Sequence, residues 1–354
     1  MSDPPDFSVV IPTLNSSLTL AQTLESIRCQ EYDQDRVEIL VIDGGSIDDT
    51  REIAARFGCE VLDNPMVQQE HAKYIGLQNA RGKAAIFIDS DECFESRGSL
   101  AARAGVLRDH PSYKFMLAGG YRTPPGASAI NDYQVHFADP FNYLLTGTSG
   151  DAGLFVDSWK KLYDVVEETY DFAGFELSAD KVQPTVDLCA GSTVDMEYVR
   201  GEFAEELKDP LVPPRLFYLS ARKSPRVAIL KEDFIVHYSA DSLRTYLKKL
   251  DWRVKTNIHY PDVVAIGYVN RERFEPRRIR IKKYLFIPYA FTVVVPLAQG
   301  IREAVRTGKL VCLLHPVLSF YAAADICWQY LMKAIGRKPA LKTYGTNTQK
   351  LDLD

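Results

Sequence analysis

Three observations predict a doubly wound α/β fold with a mostly parallel sheet. Short, near-continuous apolar runs recur through the N-terminal part of the chain, and segments with apolar residues at helical spacing separate them. Several of the runs end in polar or glycine-bearing loops, as strands do where they leave the carboxyl edge of a sheet covered on both faces.

The elements follow in order. FSVVIP (Phe7 to Pro12) is an apolar, β-rich run closed by proline, and Leu18 to Gln30 then places Leu20, Leu24 and Ile27 at helical spacing. VEILVID (Val37 to Asp43) is a second buried strand, and Asp48-Asp49-Thr50 opens a helix running to Phe57. CEVL (Cys59 to Leu62) is a weak strand, Glu70 to Ala80 a helix, and KAAIFID (Lys83 to Asp89) a fourth strand. Beyond about residue 110 the pattern loosens: Tyr121 to Ala129 and Asp209 to Pro214 read as loops, Phe234 to Tyr238 as a strand, and Ser242 to Thr256 as a helix. No internal repeat is present.

The 354 residues suffice for one large domain, or for a common-sized domain with an appendage. With 46% hydrophobic and 25% charged residues the composition is that of a globular protein. A net charge of −5 argues against nucleic acid as a partner, because no overall positive field would attract phosphates. The six cysteines are scattered without zinc-ligand spacing and are expected to be reduced. MSDPPDF carries no secretory pattern, so the expected compartment is the cytoplasm.

The last third differs. Arg271 to Lys283 holds seven basic residues against Glu272 and Glu275, and two apolar stretches follow, Tyr284 to Ala298 and Leu310 to Met332. Pro288 and Pro296 break the first; His315, Pro316 and Asp325 interrupt the second, so neither is a clean spanning helix. A basic run beside amphipathic helices bearing Tyr321, Trp328 and Tyr330 meets the requirements of an in-plane membrane anchor. A packed helical subdomain or a dimer interface is the alternative, and the local departure from the acidic average favours the membrane surface. The expected division is 1–260 for the α/β domain and 261–354 for the basic helical region.

In an open parallel sheet, ligands bind beyond the carboxyl ends of the strands. Three loops sit there: Pro12-Thr13-Leu14-Asn15, Asp43-Gly44-Gly45-Ser46 and Asp89-Ser90-Asp91. Asp43 can accept hydrogen bonds from a base or a ribose, with glycines beside it that let the backbone turn tightly; the alternative is that it merely caps the following turn. No G-x-G-x-x-G follows the first strand, which disfavours a dinucleotide site. Two carboxylates two residues apart at a strand end suit a hard cation, Mg²⁺ or Mn²⁺, shared with a diphosphate.

FSVVIPTLN, SIRCQ, EILVIDGGSIDDT and HAKYIGLQNARGKAAIFIDSD together resemble the family 2 glycosyltransferases, which share the GT-A fold. The resemblance covers about the first 95 residues. It implies that Thr13 and Asn15 lie near the nucleotide, that Asp43 binds the base, that Asp89 contacts ribose or metal, and that Asp91 is the principal metal ligand. Lys73 stands where the family often has Arg, and Tyr74 where an Asn is usual. In EELKDPLVPPRLF, Asp209 keeps the family's six-residue spacing to Arg215, although Lys208 replaces a Glu, and is the implied base; Glu205 and Glu206 compete, and opening a proline-rich turn is the alternative role.

EDFIVHYSADSLRTYLKKLDWR resembles the family's strand ending in His followed by a basic helix, so His237 is a candidate ligand of metal or diphosphate, or a structural residue. Arg244, Lys248, Lys249 and Arg253 could neutralise phosphate or form a solvated face. The resemblance implies an inverting transfer from a nucleoside diphosphate sugar, with a UDP-linked donor expected. The acceptor would be a lipid-linked saccharide or polyprenyl phosphate, and the enzyme would be peripheral on the inner membrane face. A nucleotidyltransferase would show a Gly-rich, basic loop after the first strand, which PTLNSS lacks, and a non-catalytic nucleotide-sugar-binding protein would not need Asp43, Asp89 and Asp91 together.

Overall fold

The computed structural model of the protein describes residues 3–239, 242–261 and 268–342. Parts of the expected segments 1–260 and 261–354 therefore lie outside the described residues, namely 1–2, 240–241, 262–267 and 343–354. The chain divides into two compact units. The first comprises Met1–Arg122, Ala152–Ser178 and Val186–Tyr238; the second comprises Thr123–Asp151, Ala179–Thr185 and Ser239–Asp354. This division follows packing and does not fall at residue 260: the helix Leu243–His259 belongs with the second unit.

The first unit is built on twelve strands: β1 (Phe7–Thr13), β2 (Val37–Asp43), β3 (Glu60–Asp63), β4 (Ala84–Phe87), β5 (Glu92–Phe94), β6 (Phe115–Leu117), β7 (Tyr121–Arg122), β8 (Asp164–Glu168), β9 (Phe172–Glu176), β10 (Ser192–Asp195), β11 (Arg226–Leu230) and β12 (Ile235–His237). Nine of them form one sheet, in the order β3-β2-β1-β4-β10-β6-β11-β9-β8, and β5-β12-β7 form a small second sheet. β3, β2, β1 and β4 are mutually parallel, as the apolar runs predict; β10 then enters antiparallel to both β4 and β6.

Helices cover both faces. Phe7, Val9 and Ile11 of β1 pack with Leu20, Leu24 and Ile27 of α1 (Leu20–Arg28), with Ile53 of α2 (Thr50–Arg56). Val10 points the other way, against α3 (Gln69–Asn79), where a Cβ on Gly76 would fall 2.3 Å from Val10 Cγ1. Alternate side chains of one strand thus feed two apolar layers, which is why β1 is apolar at nearly every position. α4 (Ser99–Asp109) adds Leu100 to the first layer. Its Arg103 is fully buried and pairs with Asp233 at 2.6 Å, while donating to Thr193 and to the Gly191 carbonyl.

The second unit is helical around Tyr133, Phe137, Tyr246, Phe286, Cys312 and Leu318. Its core is unusually polar. His315 shares hydrogen bonds at 2.8 Å with Tyr133 and with Tyr289, one at each ring nitrogen, so that one nitrogen donates and the other accepts. His136 meets Glu303 at 3.2 Å and Ser149 at 2.8 Å. Arg271, the first cation of the basic run, is buried against Glu275 and does not contribute to a charged surface.

Candidate active site

Parallel pairing in register sets Thr13 opposite Asp43 at the carboxyl ends of β1 and β2. Thr13 Oγ1 donates to Asp43 Oδ1 at 3.1 Å. The Asp43 carboxylate is buried and also accepts from Gly45 N, Ser46 N and Ser46 Oγ, and Arg51 Nε stands 3.1 Å from its Oδ2. Gly45 has φ +87°, a conformation L side chains rarely adopt, and that turn aims the two N–H groups at the carboxylate. Asn15, itself left-handed at φ +51°, ties the two loops together: its N–H donates to Ser46 Oγ and its Oδ1 accepts from Ile47 N. Its Nδ2 is buried without a hydrogen-bond partner among the described residues. Pro12, next to Thr13, stays within β1, paired with Ile42.

The third loop joins them through Ser90. Its hydroxyl lies 2.9 Å from Ser16 Oγ, and its carbonyl accepts from Thr23 Oγ1 at 3.0 Å. Asp89 is positioned from α3, whose Gln69 Nε2 donates to Asp89 Oδ1 at 2.7 Å. Burial raises the Asp89 carboxyl above the usual range, Lys73 opposes that shift, and the nearby charge of Asp91 adds to it. Lys73 is buried one turn further along α3 and donates to Glu70 at 2.8 Å. Burial alone would push Lys73 down, but the charges of Glu70 and Asp89 outweigh it and hold the ammonium well above its ordinary value.

Asp91 immediately precedes β5 and His237 ends its partner β12, where it pairs with Glu92, so the small sheet brings Asp91 and His237 together. His237 Nε2 is 3.6 Å from Asp91 Oδ2, and Tyr238 N donates to the Asp91 carbonyl at 2.8 Å.

Sequence reasoning missed Glu92, although it directly follows the acidic motif. Asp89 N and Ala190 N both donate to its Oε2 at 2.8 Å, and Tyr121 OH donates to its Oε1 at 2.9 Å. Burial, then the charge of Asp89, pushes its carboxyl up to about 7. Ala190 is delivered by a loop in which it and Gly191 are left-handed and which Arg103 holds from within. Asp89, Glu92 and Cys189 place ligand atoms within 4.8 Å of one another. The oxygens of Glu92, however, are committed to N–H and O–H donors, and burial raises the Cys189 thiol well above its ordinary value, which keeps it protonated. For a hard cation the carboxylate oxygens of Asp89 and Asp91 have the better chemistry, although Asp91 and His237 do not join Asp89 in that grouping.

Asp209 stands apart from this cluster. Its Oδ1 accepts from Leu211 N at 2.9 Å and its Oδ2 pairs with Arg215, the arrangement of a residue that opens the helix Pro213–Lys223. Two residues earlier, the Leu207 carbonyl accepts from Gln78, nine residues along α3 from the Gln69 that holds Asp89. At the rise of an α-helix that separation is about 13 Å. Glu205 is exposed and paired with Lys208.

The site lies where an open α/β sheet collects its ligands. Residues 8–112 match the family described as Glycosyl transferase family 2. The mannosyltransferase PcManGT of Pyrobaculum calidifontis, solved with GDP-Man and Mn²⁺, superposes with a TM-score of 0.52 at 16% identity over 92% of this chain and 88% of that one, which shows a shared GT-A fold. The glycosyltransferase AglE of Haloferax volcanii is 32% identical over 93 residues, 25% of this chain and 31% of that protein. A PGL/p-HBAD biosynthesis glycosyltransferase of Mycobacterium bovis is 29% identical over 112 residues, 30% of this chain and 43% of that protein. The matched segment spans less than half the length of either relative.

Proposed function

We propose that this protein transfers a sugar from a nucleoside diphosphate sugar to an acceptor at a membrane surface. The observation that carries the reading is the meeting of three strand-end loops, through Thr13–Asp43, Asn15–Ser46 and Ser16–Ser90, beside a pair of carboxylates. In this reading Asp43 and Asn15, with Pro12, Thr13 and Gly45 shaping the loops, receive the base and ribose, and Asn15 Nδ2 offers a buried donor that a ligand acceptor would satisfy. Asp91, Asp89 and His237 would hold Mg²⁺ or Mn²⁺, which when bound neutralises the departing diphosphate. Lys73 keeps Asp89 in a field where it can remain ionised, and Ser90 fixes the loop between the two ligands.

The donor we favour is UDP-linked, and the transfer a direct displacement with inversion. The bond from the anomeric carbon to the diphosphate breaks as the acceptor oxygen bonds to that carbon. A hydroxyl acceptor must surrender a proton, and Asp209 would take it only if its turn left the pairing with Arg215 and came to the strand-end cluster; an already ionised phosphate acceptor needs no base.

The membrane part of the reading rests on the second unit, where one helix is inverted and another carries an outward apolar face. In Val294–Thr307 the buried positions are Pro296, Gly300 and Glu303, whereas Val294, Leu297, Ile301 and Val305 are exposed. His315–Ala334 buries Leu318, Ala322 and Ala323 together with His315, Ser319 and Gln329, and turns Val317, Phe320, Trp328 and Leu331 outward. Exposed Phe291 and Phe320 meet edge to face at 5.1 Å and join the two surfaces. An apolar face of this extent, next to exposed Arg277, Arg278 and Arg280, fits an anionic bilayer better than water. The segment Leu310–Ala334 has the length and composition to cross a membrane. Its one-sided exposure supports an in-plane position.

A thermal-shift panel of UDP- and GDP-sugars with and without Mn²⁺ tests the donor site. Saturating a matched donor at about a hundred times Kd should stabilise the fold by about 2.7 kcal/mol, and only with the cation present. If no nucleoside diphosphate raises Tm with any divalent ion, the reading fails.

A further inference from the structure

The second unit contains a cleft that neither the donor site nor the apolar face accounts for. It has a volume of about 360 Å³ and is lined by Lys255, Trp328, Gln329, Met332, Arg337, Lys338 and Pro339, a size within the roughly 300–1,000 Å³ of ligand sites. The segment that closes it is fastened back onto the helix Leu243–His259 and the residue after it. Trp252 Nε1 donates to the Lys342 carbonyl at 2.8 Å, Tyr260 OH donates to the Pro339 carbonyl, and Lys333 Nζ donates to the Ile258 carbonyl. Lys338 Nζ lies 4.1 Å over the Tyr260 ring. The wall is thus held in place by side-chain bonds from Trp252, Tyr260 and Lys333 and is not a loose tail.

Its chemistry is one-sided. Among the described residues three cations line it and no carboxylate does; Lys255 has Asp251 beside it at 2.6 Å. The apolar contribution comes from Trp328 and Met332, and Trp328 belongs to the same outward face as Leu331 and Ile335. A basic recess opening beside an apolar, Trp-bearing surface matches a lipid whose phosphate enters the recess while its acyl chains stay in the bilayer.

We propose that this cleft binds the phosphate headgroup of an anionic lipid, with Arg337 and Lys338 as the principal phosphate donors and Trp328 packing at the headgroup–chain boundary. The assignment rests on the membrane reading above. It adds a discrete, saturable site to a general electrostatic attraction, and would orient the protein on the bilayer.

The test uses the full chain and two probes. Short-chain dihexanoyl phosphatidic acid, kept monomeric, is titrated while Trp emission is followed, with Trp328→Phe as the signal control. Vesicles of phosphatidylcholine with or without phosphatidic acid are used for co-sedimentation. Saturable binding of the short-chain lipid is expected, weakened roughly tenfold or more in Arg337→Ala/Lys338→Ala by loss of charge-assisted hydrogen bonds, and retained in Arg277→Ala/Arg280→Ala. All four of these positions are exposed, so the variants should fold.

Equal weakening in both double variants, no saturable signal in the intact protein, or inorganic phosphate binding as tightly as the lipid would each overturn the cleft assignment. Short-chain binding that persists when vesicles are not bound would leave the cleft standing and remove the membrane reading. Vesicle binding that ignores the cleft variants but falls with the other pair would do the reverse.

Discussion

Asp43, Asp91 and Glu92 are three carboxylates within one strand-end region, and their surroundings give them different work. Asp43 is enclosed by donors from its own turn and by Thr13. An Asp43→Ala change should leave those donors unpaired and cost about 1–3 kcal/mol in denaturant unfolding, together with nucleotide binding. Glu92 is held by two backbone N–H groups and Tyr121. Glu92→Ala should therefore destabilise by a similar amount. Asp91 is partly exposed, and Asp91→Ala should keep the unfolding midpoint of the free protein while abolishing the Mn²⁺-dependent part of any donor-induced thermal shift. If Asp91→Ala retains that dependence, the ligand set proposed above is wrong. Asp209→Asn addresses the base: loss of transfer with donor binding intact would support it, and unchanged transfer to a hydroxyl acceptor would remove it.

At the scale of elements, the turn from α3 into β4 depends on closeness. A Cβ on Gly82 would lie 2.6 Å from the Ser8 backbone nitrogen and 2.7 Å from the Phe7 carbonyl carbon. Gly82→Ala must displace β1 backbone, and a loss of about 1–3 kcal/mol is expected from equilibrium unfolding. The helix Val294–Thr307 gives a pH prediction. Burial would raise the Glu303 carboxyl, but hydrogen bonds from His136, Arg302 and Tyr143 override it and bring it to about 2. A carboxylate depressed in the folded state stabilises above its unfolded value and loses that contribution as pH falls through the folded one. Stability should thus decline between about pH 4.5 and pH 2, by on the order of 3 kcal/mol from this group. Glu303→Gln should flatten the profile in that window; an unchanged profile would show that Glu303 is not the group responsible.

These elements also show what a sequence can reveal. β1, β2, β4 and α1 to α3 were legible because each is buried on both faces or along one clear stripe, and Asp43 and Asp89 to Asp91 were legible because each ends such a run. β6, β8 and β9 were not read, since Phe115–Leu117 is only three residues long and Asp164–Glu168 is mostly exposed, so neither shows a period. The partners Gln69, Glu92, Tyr121 and Ala190 meet only after strands far apart in sequence have paired, and nothing local marks them. The basic run illustrates the reverse error: seven cations look alike in the string, yet folding buries Arg271 against Glu275 and pairs Lys283 with Glu272.

For the whole molecule, the decisive contrast is between a first unit with its apolar residues inside and a second with many of them outside. In water an exposed stripe of Val294, Leu297, Ile301 and Val305 is an aggregation hazard; in the boundary of a bilayer it is the source of affinity. Because these side chains contribute little to the unit's own packing, Ile301→Asp and Val305→Asp should leave Tm within about a degree or two, in line with surface substitutions of about ±0.5 kcal/mol. Each should nevertheless weaken vesicle binding by about tenfold, the consequence of withdrawing roughly 1.5 kcal/mol of buried apolar surface and adding a charge of the membrane's own sign. Co-sedimentation with anionic vesicles and a thermal melt on the same samples separate the two effects. A drop in Tm with unchanged vesicle binding would mean that this face packs against protein, a second copy of the chain included, and that the transfer reaction has to find its acceptor away from a lipid surface.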